Sequence, residues 1–327
     1  MKKTVKTQVI ELFAHKSEYT IKELTNVLEV SRQTVHKVMD ELVHEKFVLK
    51  VGSAPKVFYV LNVVNKSEIQ NTDIVLIDSD REYIENNFML IGPDGSRTEG
   101  VKAFMRWCQK TKQLPEKTAH EYIATLKRYN SIKESGLIHG NKKIKDTFST
   151  VYLDDIYYAD FYSIERFGKT KLGQMLLYAK KSQDKKMIKQ IAELIKTRVE
   201  ELIRTKAISA VGFIPPTEIR SVQFMTEIQK DLKLHLPVIE LIKAKTEVIV
   251  PQKTISKLED RIINADSTIF VSENRVFDTI LLIDDAVGSG ATLNQTAKKI
   301  KQLGIAKKVI GFSITGSANG FDIINEA

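Results

Sequence analysis

Residues 281–293 read LLIDDAVGSGATL, and they prolong an apolar run that begins at Asp278-Thr279-Ile280. A continuous apolar run of this length is the pattern of a strand buried on both faces of a parallel sheet. Two acids, Asp284 and Asp285, close it, and Gly288-Ser289-Gly290-Ala291-Thr292 follows. Leu293, Ala297, Ile300 and Leu303 then keep helical spacing, and Gly304 ends the helix. Val309–Ile314 is the next apolar strand. The spacing predicts a strand–loop–helix–strand unit. Its loop lies at the carboxyl end of a strand, where open α/β sheets bind ligands. The fold class expected of this part of the chain is α/β with a parallel sheet.

The loop has the chemistry of a phosphate cradle. Glycines let backbone N–H groups close around an anion, and a helix beginning near Thr292 adds its positive dipole end. Ser289 and Thr292 offer hydroxyls to phosphate oxygens. Asp284 and Asp285, standing before the loop, can accept hydrogen bonds from two neighbouring sugar hydroxyls. Other phosphate motifs fit less well. No Gly-Lys-Ser/Thr is present at this loop, which excludes a nucleoside-triphosphate P-loop. The acids precede the glycines, whereas a dinucleotide fold places its acid about 20 residues after them.

This segment resembles the phosphoribosyl diphosphate (PRPP) signature of type I phosphoribosyltransferases. The resemblance implies a parallel-sheet phosphoribosyltransferase-type domain in which Asp284 and Asp285 hold the ribose hydroxyls. Ala286, Val287 and the run Gly288, Ser289, Gly290, Ala291 and Thr292 would line the 5-phosphate cradle. A Mg²⁺ ion would reach Asp284 and Asp285 indirectly, through the ligand. Upstream, Ala207–Ile214 reads as a buried strand, and Pro215-Pro216-Thr217 follows it, where the family has a turn on the diphosphate. Arg220, Gln223, Phe224, Lys243, Lys245, Thr246, Gln252, Arg261, Asn264 and Phe270 are spaced as in the ComF-type branch. By that likeness Pro216, Thr217, Lys243 and Lys245 join the PRPP site; Lys243 and Lys245 read equally well as a solvated strand end. Arg261 and Asn264 read better as structural residues. The resemblance covers roughly residues 150–320. One departure is informative: where purine-type transferases carry an acid that serves as base, this chain has Gly288. A purine-salvage enzyme is therefore disfavoured. The catalytic residue, if there is one, is unknown, because His235 reads as a surface histidine.

The other end of the chain has a different character. Val5, Val9, Leu12 and Phe13 suggest a first helix. Thr20-Ile21-Lys22-Glu23 is a capping-box sequence that opens a second, with Ile21, Leu24 and Leu28 on one face. Ser31 can cap a third, whose inward residues are Val35, Val38 and Leu42. Arg32, Gln33, Thr34, His36 and Lys37 are left outside, with Ser31 at their head. These residue types reach base edges and phosphates from the first turns of a recognition helix. Two strands, Phe47–Val51 and Lys56–Leu61, are joined by Gly52-Ser53-Ala54-Pro55. The arrangement resembles the winged helix-turn-helix family. It implies double-stranded DNA as partner, with Lys50 and Lys56 flanking the wing. A winged helix used for dimerisation or protein contact is the alternative.

Three segments are expected: a winged helix-turn-helix over 1–65, a mixed spacer or dimerisation segment over 66–147, and the phosphoribosyltransferase-type domain over 148–327. The middle segment offers Ile74-Val75-Leu76-Ile77 as a short strand and two helices, Glu99–Lys112 and Lys117–Tyr129. The single cysteine, Cys108, reads as a small core residue, and one cysteine excludes an internal disulfide and a four-cysteine metal site. The joints fall in the polar stretches Asn65–Asp80 and Gly136–Lys145. The start of the chain lacks the features of a signal peptide, and no apolar run approaches the ~18 residues a membrane span needs, so a cytoplasmic protein is expected. The formal net charge of +9 favours polyanionic partners, and residues 161–207 alone carry twelve Lys/Arg against five Asp/Glu.

Two functions remain open on this reading. One is a PRPP-sensing, DNA-binding regulator, similar in domain order to the purine repressors of Gram-positive bacteria and expected to be a homodimer. The other is an active phosphoribosyltransferase that releases pyrophosphate, possible as an effector in bacterial defence or DNA uptake. The terminal Gly316–Phe321 reads as a plain turn, or else as a hood over the ligand.

Overall fold

The computed structural model describes residues 4–13, 16, 18–45, 47–53, 56–61, 74, 76–244, 255 and 257–317. The chain forms two units, Met1–Ile74 and Val75–Ala327.

The first unit runs α1 (Val5–Phe13), β1 (Glu18–Tyr19), α2 (Ile21–Leu28), α3 (Arg32–His44), β2 (Val48–Ser53) and β3 (Lys56–Leu61). The predicted capping box at Thr20 is formed: the Thr20 hydroxyl accepts from the Glu23 N–H, and the Glu23 carboxylate accepts from the Thr20 N–H at 2.7 Å. Ser31 caps α3, its Oγ accepting from the Thr34 N–H at 3.2 Å. The strands make an antiparallel sheet in the order β1-β3-β2. Val9, Phe13, Leu24, Val35, Val38, Met39 and Leu42 bury the inner helix faces against Val48 and Tyr59 of that sheet. The Phe13 and Tyr19 rings meet edge to face at 5.1 Å.

The second unit opens with α4 (Asp78–Asn87), β4 (Met89–Ile91), β5 (Arg97–Glu99), α5 (Gly100–Thr111) and α6 (Pro115–Ser131). Leu76 and Ile77 lie in irregular backbone, not in the short strand their composition suggests. Ile77 is the residue from which α4 starts. The two predicted helices appear as α5 and α6. They close an aromatic cluster in which Phe88, Phe104, Trp107, Tyr122 and Phe167 meet at 5.2–6.1 Å. Cys108 is fully buried beside it.

The chain continues with β6 (Lys133–Glu134), β7 (Leu137–His139), α7 (Asn141–Thr147), β8 (Asp155–Phe161), β9 (Ser163–Ile164), β10 (Gly168–Lys169), α8 (Lys171–Ser182) and α9 (Lys185–Thr205). Then come β11 (Ala210–Phe213), α10 (Phe224–Leu232), β12 (Glu240–Lys243), α11 (Leu258–Thr268), β13 (Ile269–Ser272), β14 (Phe277–Val287), α12 (Ala291–Gln302) and β15 (Ala306–Gly316). A six-stranded sheet in the order β11-β14-β15-β8-β7-β6 organises the unit. Its first four strands are parallel, and β7 and β6 add antiparallel. Residues 133–139, which sequence reading placed in a middle segment, thus belong to this sheet. Backbone bonds from Val211 N–H to Pro237 O and from Ile239 N–H to Val211 O continue the ladder beyond β11.

The sheet is buried on both faces, as the unbroken apolar run of β14 requires. On one face α8, α9 and α10 pack Leu176, Ile191, Ile195, Val199, Phe224 and Ile228 against Leu281, Ile283, Phe312 and Ile314. On the other, Leu293 of α12 reaches Gly311 of β15. Leu293, Ala297 and Ile300 are buried as their spacing predicts, but Leu303 is 61 % exposed. The helix ends at Gln302 and Leu303 is its C-cap, so the apolar stripe stops one turn earlier than the periodicity suggests.

Candidate functional site

The carboxyl ends of β11 and β14 open onto a cavity of about 210 Å³. Asp284, Asp285 and Ala286 line it from β14, Pro215, Pro216 and Thr217 from the turn after β11, Lys243 from β12 and Thr292 from α12. These residues, up to 77 positions apart in the sequence, share one cavity, whereas Val287, Gly288, Ser289, Gly290 and Ala291 of the expected set are buried and do not line it. Lys245 lies outside the described residues, as do Thr246, Gln252 and residues 318–321. Ala286 and Val287 still pair with β15, so the turn itself is Gly288–Gly290.

The turn is built tightly. Gly290 has φ +87°, a left-handed conformation that glycine adopts without strain. A Cβ at Gly290 would lie 2.3 Å from Cδ1 of Ile144, so α7 packs directly on the loop. Ser289 is buried, and its Oγ accepts from the Ala291 N–H at 3.3 Å. This hydroxyl therefore caps α12 from outside the helix, a role the motif does not reveal, and it keeps its own proton for donation. With the Ala291 N–H taken by Ser289, the N–H groups of Thr292 and Leu293 are those without an acceptor inside their own helix.

The two acids diverge. Asp285 meets Lys180 of α8, with Nζ donating to Oδ2 at 2.6 Å. Asp284 accepts from the Asp285 N–H at 2.8 Å and faces Lys243. Burial, and after it the neighbouring Asp285 charge, push the Asp284 carboxyl up to about 7. Burial likewise lowers the Lys243 ammonium, against the pull of Asp284.

Two basic cavity residues carry no signal in the sequence, Lys180 and Lys181 from the last turn of α8, while Arg220, named in the ComF-type spacing, comes from the turn beyond β11. Arg220 donates one guanidinium N–H to the Lys180 carbonyl and another to Glu218 at 2.7 Å, so it ties the end of α8 to the turn. The apolar part of the lining is Leu176, Leu177, Ile214, Val222, Phe224 and Met225. Gln223 donates to the carbonyls of Glu218 and Arg220. Arg261 is 7 % exposed and donates to Ile255 O at 2.6 Å, in keeping with a structural role, and His235 is exposed.

A metal held by protein alone needs a cluster of three or more His, Cys, Asp or Glu, and no such group exists among the described residues. Asp284 and Asp285 as a carboxylate pair fit a different arrangement. Mg²⁺ is commonly bound through one or two carboxylates with the remaining oxygens from substrate phosphate and water.

In the first unit, Arg32, Gln33, Thr34, His36 and Lys37 are all exposed on the first two turns of α3. Ser31 is committed to capping. Lys50 is exposed on β2, and the side chain of Lys56 lies outside the described residues. The late acids of α3 turn elsewhere: Lys6 donates to Glu45 at 2.5 Å and stands 4.0 Å from Glu41.

No helix among the described residues is long and apolar enough to cross a membrane. No family model matches the chain, and none of the curated proteins does. Solved structures similar in fold include a hypoxanthine phosphoribosyltransferase from Staphylococcus aureus, 14% identical with a TM-score of 0.24. The similarity covers 41% of this chain and 66% of that one, so this chain spans just under two thirds of its length. An adenine phosphoribosyltransferase from Leishmania tarentolae is 12% identical with a TM-score of 0.28, over 50% of this chain and 91% of that one. At these scores neither alignment bears on ligand or mechanism.

Proposed function

We propose that this chain is a DNA-binding regulator whose second unit binds PRPP, or a related ribose 5-phosphate ligand, together with Mg²⁺. The observation that carries the ligand is the join of β14 to α12. Two carboxylates stand at the strand end, and a glycine turn capped by the helix N-terminus follows within a few residues. The 5-phosphate rests on the N–H groups of the turn and α12, with the Thr292 hydroxyl beside it. Asp284 and Asp285 accept from the 2- and 3-hydroxyls of the ribose. The diphosphate lies toward Pro216, Thr217 and Lys243. Asp284 and Asp285 would hold a Mg²⁺ ion indirectly, through the ligand, and the ion would supply charge neutralisation for the diphosphate.

The regulatory half of the reading rests on the first unit, whose three helices, exposed α3 residues and β2–β3 hairpin support a winged-helix reading. Arg32, Gln33, Thr34, His36 and Lys37 meet the major groove, and Lys50 and Lys56 meet phosphates beside it. The ligand acts by binding one DNA-binding geometry of the protein better than another. A homodimer matches a site of two half-sites.

The apolar wall of the cavity favours a second reading. A flat acceptor seated against Phe224, Met225 and Leu177 next to the ribose turns the site into a transferase. Glycosyl transfer from PRPP needs mainly positioning and electrostatics, so Gly288 in place of an acid does not exclude it. Calorimetry with PRPP and Mg²⁺, with pyrophosphate followed in the same mixture, separates the two. Binding without release supports the regulator, and release makes the chain an enzyme. No binding at all refutes the site.

A further inference from the structure

We infer that Lys180 is a specificity residue of this site, the one that lets it prefer a sugar carrying a diphosphate on C1 over the bare sugar 5-phosphate. The inference rests on the PRPP reading above and goes beyond it, because Lys180 belongs to no motif in the sequence.

The geometry is specific. Lys180 lies in the last turn of α8, 105 residues from Asp285, yet its Nζ reaches Oδ2 of that acid at 2.6 Å. Both side chains line the cavity, and the lysine side chain is 34% exposed, so it opens onto the space a ligand would fill. The Lys180 carbonyl, in the last turn of α8, meets Arg220, another cavity residue, and a helix C-terminus repels anions. Lys180, Lys181 and Arg220 offset that repulsion. Of these, Arg220 is engaged by the Lys180 carbonyl and by Glu218. Lys243 approaches from the other acid, Asp284. Lys180 is therefore the cation bonded to the acid that takes a ribose hydroxyl, at the border between sugar and diphosphate.

Lys180 compensates the charge of Asp285. When a ribose hydroxyl donates to Asp285, the carboxylate has a second oxygen for the ammonium, and lysine has three N–H donors to share. One donor turns to the diphosphate without leaving the acid. A ligand without the diphosphate gives Lys180 nothing new, so it gains nothing from the residue.

The test is calorimetry on the full chain, with Mg²⁺ present, using PRPP and ribose 5-phosphate separately against wild type, Lys180→Met and Lys180→Arg. Loss of one charge-assisted hydrogen bond predicts that Lys180→Met weakens PRPP by roughly ten- to hundredfold and ribose 5-phosphate by less than about threefold. Lys180→Arg, which keeps the charge and the fold of the ion pair, retains most of the preference. Equal loss of both ligands in Lys180→Met makes the residue a mere counter-ion of Asp285 and overturns the inference, as does loss of neither. A wild type that binds the two ligands equally overturns it while leaving the PRPP site standing. A wild type that binds neither removes the site and the inference together.

Discussion

Helix α12 is flanked by two glycines with positive φ, Gly290 at +87° and Gly304 at +70°, and the same substitution at each should have different costs. Alanine in the left-handed region costs about 1–2 kcal/mol. Part of that is offset by the lost freedom of the unfolded chain, about 0.4–1 kcal/mol. A Cβ at Gly304 meets nothing within 4 Å, so Gly304→Ala should cost about 1 kcal/mol in all. At Gly290 the Cβ arrives 2.3 Å from Cδ1 of Ile144, a side chain only 1% exposed. Ile144 must move by roughly an ångström in a packed site, an overpacking cost of about 1–3 kcal/mol. Gly290→Ala should therefore exceed Gly304→Ala by that amount. The assay is urea denaturation followed by Trp107, the single tryptophan, which lies in the second unit and reports on it alone. Ile144→Val removes the atom in question at a cost of its own of about 0.5–1.5 kcal/mol. In the double variant the two changes should compensate, giving a favourable coupling of about 1 kcal/mol. Equal costs at the two glycines, or strict additivity with Ile144→Val, would show that α7 does not press on the turn.

Other outcomes follow from groups already described. The folded state holds Asp284 up to about 7 against an ordinary 3.8, so the stability this group lends is complete below about 3.8 and is lost as pH rises through 7. Asp284→Asn should flatten the pH dependence of the second unit between pH 4 and 8, and an unchanged slope refutes the assignment. Asp284→Asn with Asp285→Asn should abolish PRPP binding while the Trp107 transition survives, whereas unchanged affinity would remove the acids from the site. Arg32→Ala with Lys37→Ala should weaken DNA binding and flatten its salt dependence; a wild type with no salt-dependent DNA binding ends that reading. Burial pushes the Cys108 thiol up to about 11, so a thiol reagent should label it only on unfolding, and rapid labelling of the native protein contradicts its place in the core.

The sequence made the local features legible. An apolar run ending in two acids and glycines specified a buried strand, a turn and a helix, because each depends on neighbours a few residues away. The capping box at Thr20 and Glu23 was readable for the same reason, since both halves of the hydrogen-bond pair lie within one turn. What stayed hidden depends on long-range packing. Lys180 belongs to an ordinary amphipathic helix, and only the stacking of α8 on the sheet brings it to Asp285. The strands β6 and β7 are two and three residues long, too short to show alternation. The fate of Leu303 turned on where the helix stopped, and caps can shift that point by a residue or two.

The short pair β6–β7 and the segment running beside β11 have a consequence for assembly. A sheet's outer strands normally present unpaired N–H and C=O groups, an invitation to any other strand. Here one border is a two-residue strand, Lys133–Glu134, that carries a charge on each residue. At the other, Val211 already exchanges backbone bonds with Pro237 and Ile239. The six-stranded sheet offers a second molecule little length to extend. Its borders are in this way guarded against the edge-to-edge growth that seeds aggregates.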